Sequence, residues 1–155
     1  MDLTALRAAY REAIGDAEAA RQLYEHLHTY QGEAGIVHAY LASAQALMAR
    51  HDWNPYQKLR LVRASMSTFR HAVSLDPLNP EIRFLRFAIQ HYLPDFLDEN
   101  HDLAADKTIL LGQLPHAARY GLGPEEVAVF RAFLVESRRL TPSEHEQIRH
   151  LPPQP

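Results

Sequence analysis

The sequence predicts an all-α fold, seven or eight helices stacked as antiparallel hairpins in one domain over residues 1–151. Three observations predict it. Apolar residues recur every three or four positions along most of the chain, which is the spacing of a helix face. An X-Pro pair opens four of these stretches, at Pro55, Pro80, Pro124 and Pro142, and proline fits the first helical position without losing a hydrogen bond. The glycines and remaining prolines fall between the stretches, and no Ser/Gly-rich or proline-rich linker divides them into two groups. At 155 residues and 46% hydrophobic content, one such domain buries roughly 70% of its unfolded surface.

The first helix carries Leu3, Leu6, Tyr10 and Ala13 and ends at Gly15, after which Asp16 caps a second helix with Ala20, Leu23, Tyr24, Leu27 and Tyr30 on its apolar face. Gly32 and Gly35 end it. The third helix, Ile36 to about His51, is kept slim by Ala39, Ala42, Ala46 and Ala49, so that neighbours can approach closely. The fourth starts at Asn54-Pro55 and places Leu59, Val62, Met66, Phe69 and Val73 on one stripe up to Asp76-Pro77. Asn79-Pro80 restarts the chain into a fifth helix with Ile82, Leu85, Ile89 and Tyr92, widened by Phe84, Phe87 and Ala88. An apolar face that wide predicts a central helix. From Asp95 to Asp102 the chain is acidic and reads as the longest loop. A sixth helix then runs through Ile109, Leu110 and Leu114 until Pro115 breaks or restarts it. Gly121 and Gly123 form a turn before a helix with Glu125 and Glu126 at its positive end and Val127, Phe130 and Leu134 on its face. An alternating strand reading of Val127 to Val135 has no second strand to pair with. Thr141, Pro142 and Glu144 make a capping box for a last short helix, and residues 152–155 form a proline-rich tail.

Composition excludes several functions. A formal charge of −3 gives no basic face for a nucleic-acid backbone, so no nucleic-acid partner is expected. No apolar run approaches the ~20 residues of a membrane span, and Arg7, Glu12 and Asp16 interrupt the place where a signal peptide would be apolar. A soluble, cytoplasmic protein is the default expectation, with secretion of a longer precursor left open. Cysteine is absent, which removes disulfides, thiolate zinc sites and cysteine nucleophiles. There is no phosphate-binding P-loop, no dinucleotide glycine fingerprint and no nucleophile elbow. No cofactor is expected.

Phe69, Ala72 and Pro77, followed by Asn79 and Pro80, resemble the second half of a tetratricopeptide repeat, with an aromatic, a small residue three on, a proline five beyond and then a new helix. The resemblance covers about a fifth of the chain. The first half of the pattern falls on Ala49, Asp52 and Trp53, across a turn, and one unit alone is legible. Trp53, Asn54 and Pro55, together with the block from Glu81 to Phe87 and Gln90, also resemble an uncharacterised group of bacterial helical proteins. The resemblance implies stacked helical hairpins with a groove suited to a protein or peptide partner.

Ten histidines invite metal readings. Glu25 and His28 form an E-x-x-H pair, but a di-iron bundle needs a second such pair and two further glutamates. His26 and His28 lie about 200° apart on a helix and cannot chelate together. His51-Asp52 and His101-Asp102 are similar to the dipeptide of metal-dependent phosphohydrolases, which are also all-helical. Such a hydrolase would use His38 or His28 with His51, Asp52 and Asp102. Asp52 and Asp102 read equally well as a turn residue and an N-cap. The acidic residues of 95–102 lack the alternating ligands and glycine of a calcium loop.

Arg83, Arg86 and Gln90 occupy i, i+3 and i+7 on the central helix, where unpaired guanidiniums would be prohibitive. Their partners are either internal, among Asp95, Asp98, Glu99 and Asp106, or a carboxylate or phosphate held in a groove, for which the arginine fork is suited. Trp53 and Tyr56 flank a helix start and offer either an aromatic wall to that groove or a core plug. The sequence thus predicts a non-catalytic, tetratricopeptide-like binding module, with a metal-dependent hydrolase as the competing reading.

Overall fold

A computed structural model of the chain describes residues 1–151, and the expected proline-rich tail at 152–155 lies outside the described residues. Eight α-helices form among them, and no strand: α1 (Leu3–Gly15), α2 (Ala17–Leu27), α3 (Gly35–His51), α4 (Pro55–Leu75), α5 (Pro80–Tyr92), α6 (Leu103–Gln113), α7 (Pro124–Glu136) and α8 (Pro142–Arg149). The starts follow from capping. Asn54 accepts from the backbone N–H groups of Tyr56 and Gln57, and Asn79 from those of Glu81 and Ile82, which pairs donors that every helix start leaves free. Asp2 and Asp16 cap α1 and α2 in the same way. Thr141 and Glu144 close the expected capping box, while at α7 the Gly123 N–H donates to the Glu126 carboxylate at 2.8 Å.

The connections differ from expectation in four places. Helix α2 ends at Leu27 instead of reaching Tyr30, whose hydroxyl instead accepts the Ala34 N–H. Gly35 starts α3 instead of ending α2. A Cβ there would meet the Ala72 carbonyl oxygen at 2.8 Å, so glycine lets the start of α3 rest on the end of α4. The acidic stretch is not all loop: Asp95–Leu97 forms a 3-10 turn, closed by Asp98 in the left-handed region at φ 56°. Asp102 stands at the N-cap position of α6 without capping it. Beyond α6, Pro115 converts the chain to a 3-10 segment, Leu114–Tyr120, which Gly121 ends at φ 69°.

Helices α1 to α5 enclose one core around Leu27, Tyr40, Phe69, Ile82 and Leu85, all buried. Ala39, Ala42 and Ala44 are fully buried in it, and Ser65 of α4 reaches the Ala42 carbonyl at 2.7 Å, so the small residues of α3 give the close approach that its composition predicts. A second core, built from Phe84, Phe87, Leu110, Leu114, Phe130 and Leu134, joins α5 to α6, α7 and α8. Helix α5 contributes to both and is central, as its wide apolar face implies. None of the described helices is long and apolar enough to cross a membrane.

Candidate functional site

Helix α5 is covered on its α6 side and left partly open on the other. The start of α3 lies beside the start of α5, where Gly35 approaches Ile82 and Tyr40 bonds to Glu81. Helix α7 runs along α5 in the same direction: Phe130 stacks on Phe84 with ring centroids 4.0 Å apart, and Phe133 packs edge-on to Phe87 and Tyr92. Between the wall of α1, α3 and α4 and the wall of α7 there remains a groove of about 1310 Å³. Its floor includes Phe84, Leu85, Ala88 and Ile89 of α5. Four of the nine large exposed apolar side chains among the described residues line it, namely Ile14, Tyr92, Phe96 and Val129, with Phe96 84% exposed and Tyr92 75%.

One end of the groove is pinned by a buried polar cluster. The Arg7 guanidinium donates from Nε and Nη2 to the two Glu81 carboxylate oxygens, both at 2.8 Å, and from Nη1 to the Gly121 carbonyl at 3.2 Å. The Tyr40 hydroxyl donates to the same carboxylate at 2.5 Å. This fork-to-fork pair ties α1, α3, α5 and the turn before α7 together at the point where the groove closes. The bond to Glu81 raises the affinity of Arg7 for its proton against the opposing effect of burial. Burial, reinforced by the Glu81 charge, holds the Tyr40 phenol far above its ordinary range. Burial likewise pushes the neighbouring Tyr10 phenol up to about 12, although the Arg50 charge acts to lower it. These three groups remain fixed in their ordinary charge states through neutral pH, and what they supply is shape and rigidity.

The stripe on α5 faces the other way. Arg83 Nη1 donates to Asp106 Oδ1 at 3.0 Å, and Arg86 donates through Nη2 and Nε to the two oxygens of the same carboxylate at 2.7 and 2.8 Å. Asp106 is fully buried on α6. The second cation is balanced by Asp102, 3.6 Å from Arg86. Gln90 donates to the Asp102 carboxylate at 2.8 Å and accepts the Asp102 backbone N–H at 3.0 Å. Burial acts to lower the Arg86 value, but the bonds and charge of Asp106, helped by Asp102, outweigh it and raise it. Of the two alternatives for Arg83, Arg86 and Gln90, the geometry is the internal one: their donors go to Asp106 and Asp102 and, from Arg83 Nε, to the Pro77 carbonyl at 3.0 Å, and these residues are not part of the groove. Trp53 and Tyr56 also stand outside it, 89% and 85% exposed, so Trp53 is neither a core plug nor a wall. The reason is that α4 becomes buried only from Val62 onward, and its first turn overhangs solvent.

The residues of the hydrolase reading are not brought together. His38 is buried, with Nε2 2.8 Å from the Gly32 carbonyl and its ring against Tyr30 and His71. His51 is exposed at the end of α3, Asp52 accepts the Asn54 N–H, and Asp102 belongs to the Gln90 network. Among the described residues no three histidine or carboxylate side chains gather where a metal ion would fit.

Two features escape a reading by periodicity. Arg7 sits within the apolar stripe of α1, one turn from Leu3 and from Tyr10, and a charge in that position is the signal of a buried partner. Phe96, an aromatic in an acidic stretch, follows Tyr92 by four residues and marks the rim. No family model, curated protein or solved structure matches the chain.

Proposed function

We propose that the chain is a non-catalytic helical module, its hairpins stacked in the manner of tetratricopeptide repeats, that binds a protein or peptide partner in the groove over α5. The observation that carries this reading is the concentration of exposed apolar side chains there: Ile14, Tyr92, Phe96 and Val129 surround one concavity whose floor is α5. A monomer seldom leaves a connected apolar surface of this kind without a use for it. The volume supports a peptide over a small metabolite, since pockets for small molecules run to roughly 300–1,000 Å³ and enclose most of the ligand, whereas this groove is larger and has exposed rim residues. The repeat-like joint from Phe69 to Pro80 supports the stacking, because Phe69 and Ala72 are fully buried where α4 hands over to α5.

A displayed library of random peptides tests the reading. Selection on the intact chain is expected to enrich peptides whose binding is lost in Val129→Glu, a change at an exposed position that leaves thermal stability nearly unaltered. Enrichment of peptides that bind the variant equally well, or of none at all, would count against the groove.

A further inference from the structure

The charges around the groove are not mixed evenly. Arg11 from α1, Arg50 from α3 and Lys58 from α4 all line the wall opposite α7. None of the ion pairs formed among the described residues involves them. Of the other four charged residues at the groove, Arg7 and Glu81 neutralise each other, while Glu125 and Glu126 stand on α7, where Glu126 accepts the Gly123 N–H. The α7 wall therefore carries two carboxylates, Glu125 and the capping Glu126, across the floor from the three cations. Three cations from three separate helices therefore flank one edge of an apolar floor, in a chain whose formal charge is −3.

Resting on the partner-binding reading above, we infer that the occupant is an acidic amphipathic helix: its apolar stripe lies on Ala88 and Ile89 between the exposed Ile14, Tyr92 and Val129, and its carboxylates face Arg11, Arg50 and Lys58. Size agrees with this. A helix about 10 Å across that rises 1.5 Å per residue fills roughly 60 Å³ per residue when sunk to half its depth and roughly twice that when fully sunk, so the groove takes three to six turns. Apolar anchors at helical spacing supply most of the affinity in such complexes. The flanking charges set which helix enters and in which direction, because like charges brought to this wall repel. A basic amphipathic helix would place its cations against three unpaired cations and meet carboxylates, Glu125 and Glu126, only on the far side.

Three synthetic helical peptides of about 18 residues, sharing one leucine stripe and carrying Glu, Gln or Lys along one flank, separate the possibilities when titrated against the intact chain by fluorescence anisotropy. The Glu peptide is expected to bind roughly tenfold more tightly than the Lys peptide at low salt, with the advantage shrinking as ionic strength rises. Combined reversal, Arg11→Glu with Arg50→Glu and Lys58→Glu, is expected to invert the order. Equal binding of all three peptides would overturn the acidic preference and leave the groove reading in place, and binding of none would overturn both. The order of the peptides on the unaltered chain does not depend on how the variant folds. Sedimentation of the chain alone completes the test: a dimer whose association is broken by Val129→Glu would make a second copy the occupant and overturn the inference.

Discussion

The two sides of α5 invert the usual association of charge with function. Toward α6 it presents Arg83, Arg86 and Gln90, the most conspicuous polar groups of the sequence, and all of them are buried and bonded to Asp106 and Asp102. Toward α1 and α7 it presents Phe84 and Leu85, which are buried, and Ala88 and Ile89, which read as core from the sequence but stay partly uncovered. A buried charge paired with a buried counter-charge is a fastening, and an apolar face only partly covered is an opening. What distinguishes them is satisfaction, which depends on residues far away in sequence.

That contrast can be attacked at several strengths. The largest effect is expected from Asp106→Ala, which leaves two guanidiniums buried without their shared carboxylate. A loss of about 3–5 kcal/mol in urea unfolding is expected, and a loss under 1 kcal/mol would mean that the α6 side is not a fastening at all. Acid supplies a smaller perturbation. Burial acts to raise the Glu144 value, but the Lys107 ammonium, 2.8 Å away, and the Thr141 bonds of the capping box outweigh it and hold the carboxyl below its ordinary value of 4.5. A folded-state value lower than the unfolded one means that this contribution is present above about pH 4.5 and is lost as the pH falls through the folded value. Glu144→Gln is therefore expected to lower stability slightly at neutral pH and to flatten the acid limb of a stability profile, by less than about 1 kcal/mol as befits a bridge near the surface. The smallest effect belongs to the open side. Phe96→Ser is expected to change stability by no more than about 0.5 kcal/mol while weakening whichever peptide the groove selects. Substantial destabilisation would show that Phe96 already has a structural partner.

How much of this could be read beforehand follows from the range of each interaction. Asn54, Asn79 and Thr141 cap their own helices two or three residues away, and so the helix starts and the all-α class were legible. Asp106 is one of four carboxylates that follow the stripe in sequence, and spacing cannot choose among them, because the choice depends on how α6 crosses α5. The end of α2 at Leu27 was hidden because Tyr30 continues the apolar period while its hydroxyl serves a different segment. Arg7 and Glu81 are 74 positions apart, and no local pattern joins them. The groove is the least legible feature of all, since its walls and floor come from five helices and its existence depends on the space they fail to fill.

Helix α5 also determines how the molecule comes apart. Ile82 and Leu85 lie in one core, while Phe84 and Phe87 lie in the other, so neither core can lose this helix without stripping a wall from its neighbour. Two clusters that share a central rod melt as one cooperative unit, whereas two joined by a loop open separately. The same coupling narrows the freedom of the sequence to drift: a change on α8 is absorbed locally, and a change on α5 is felt throughout the molecule.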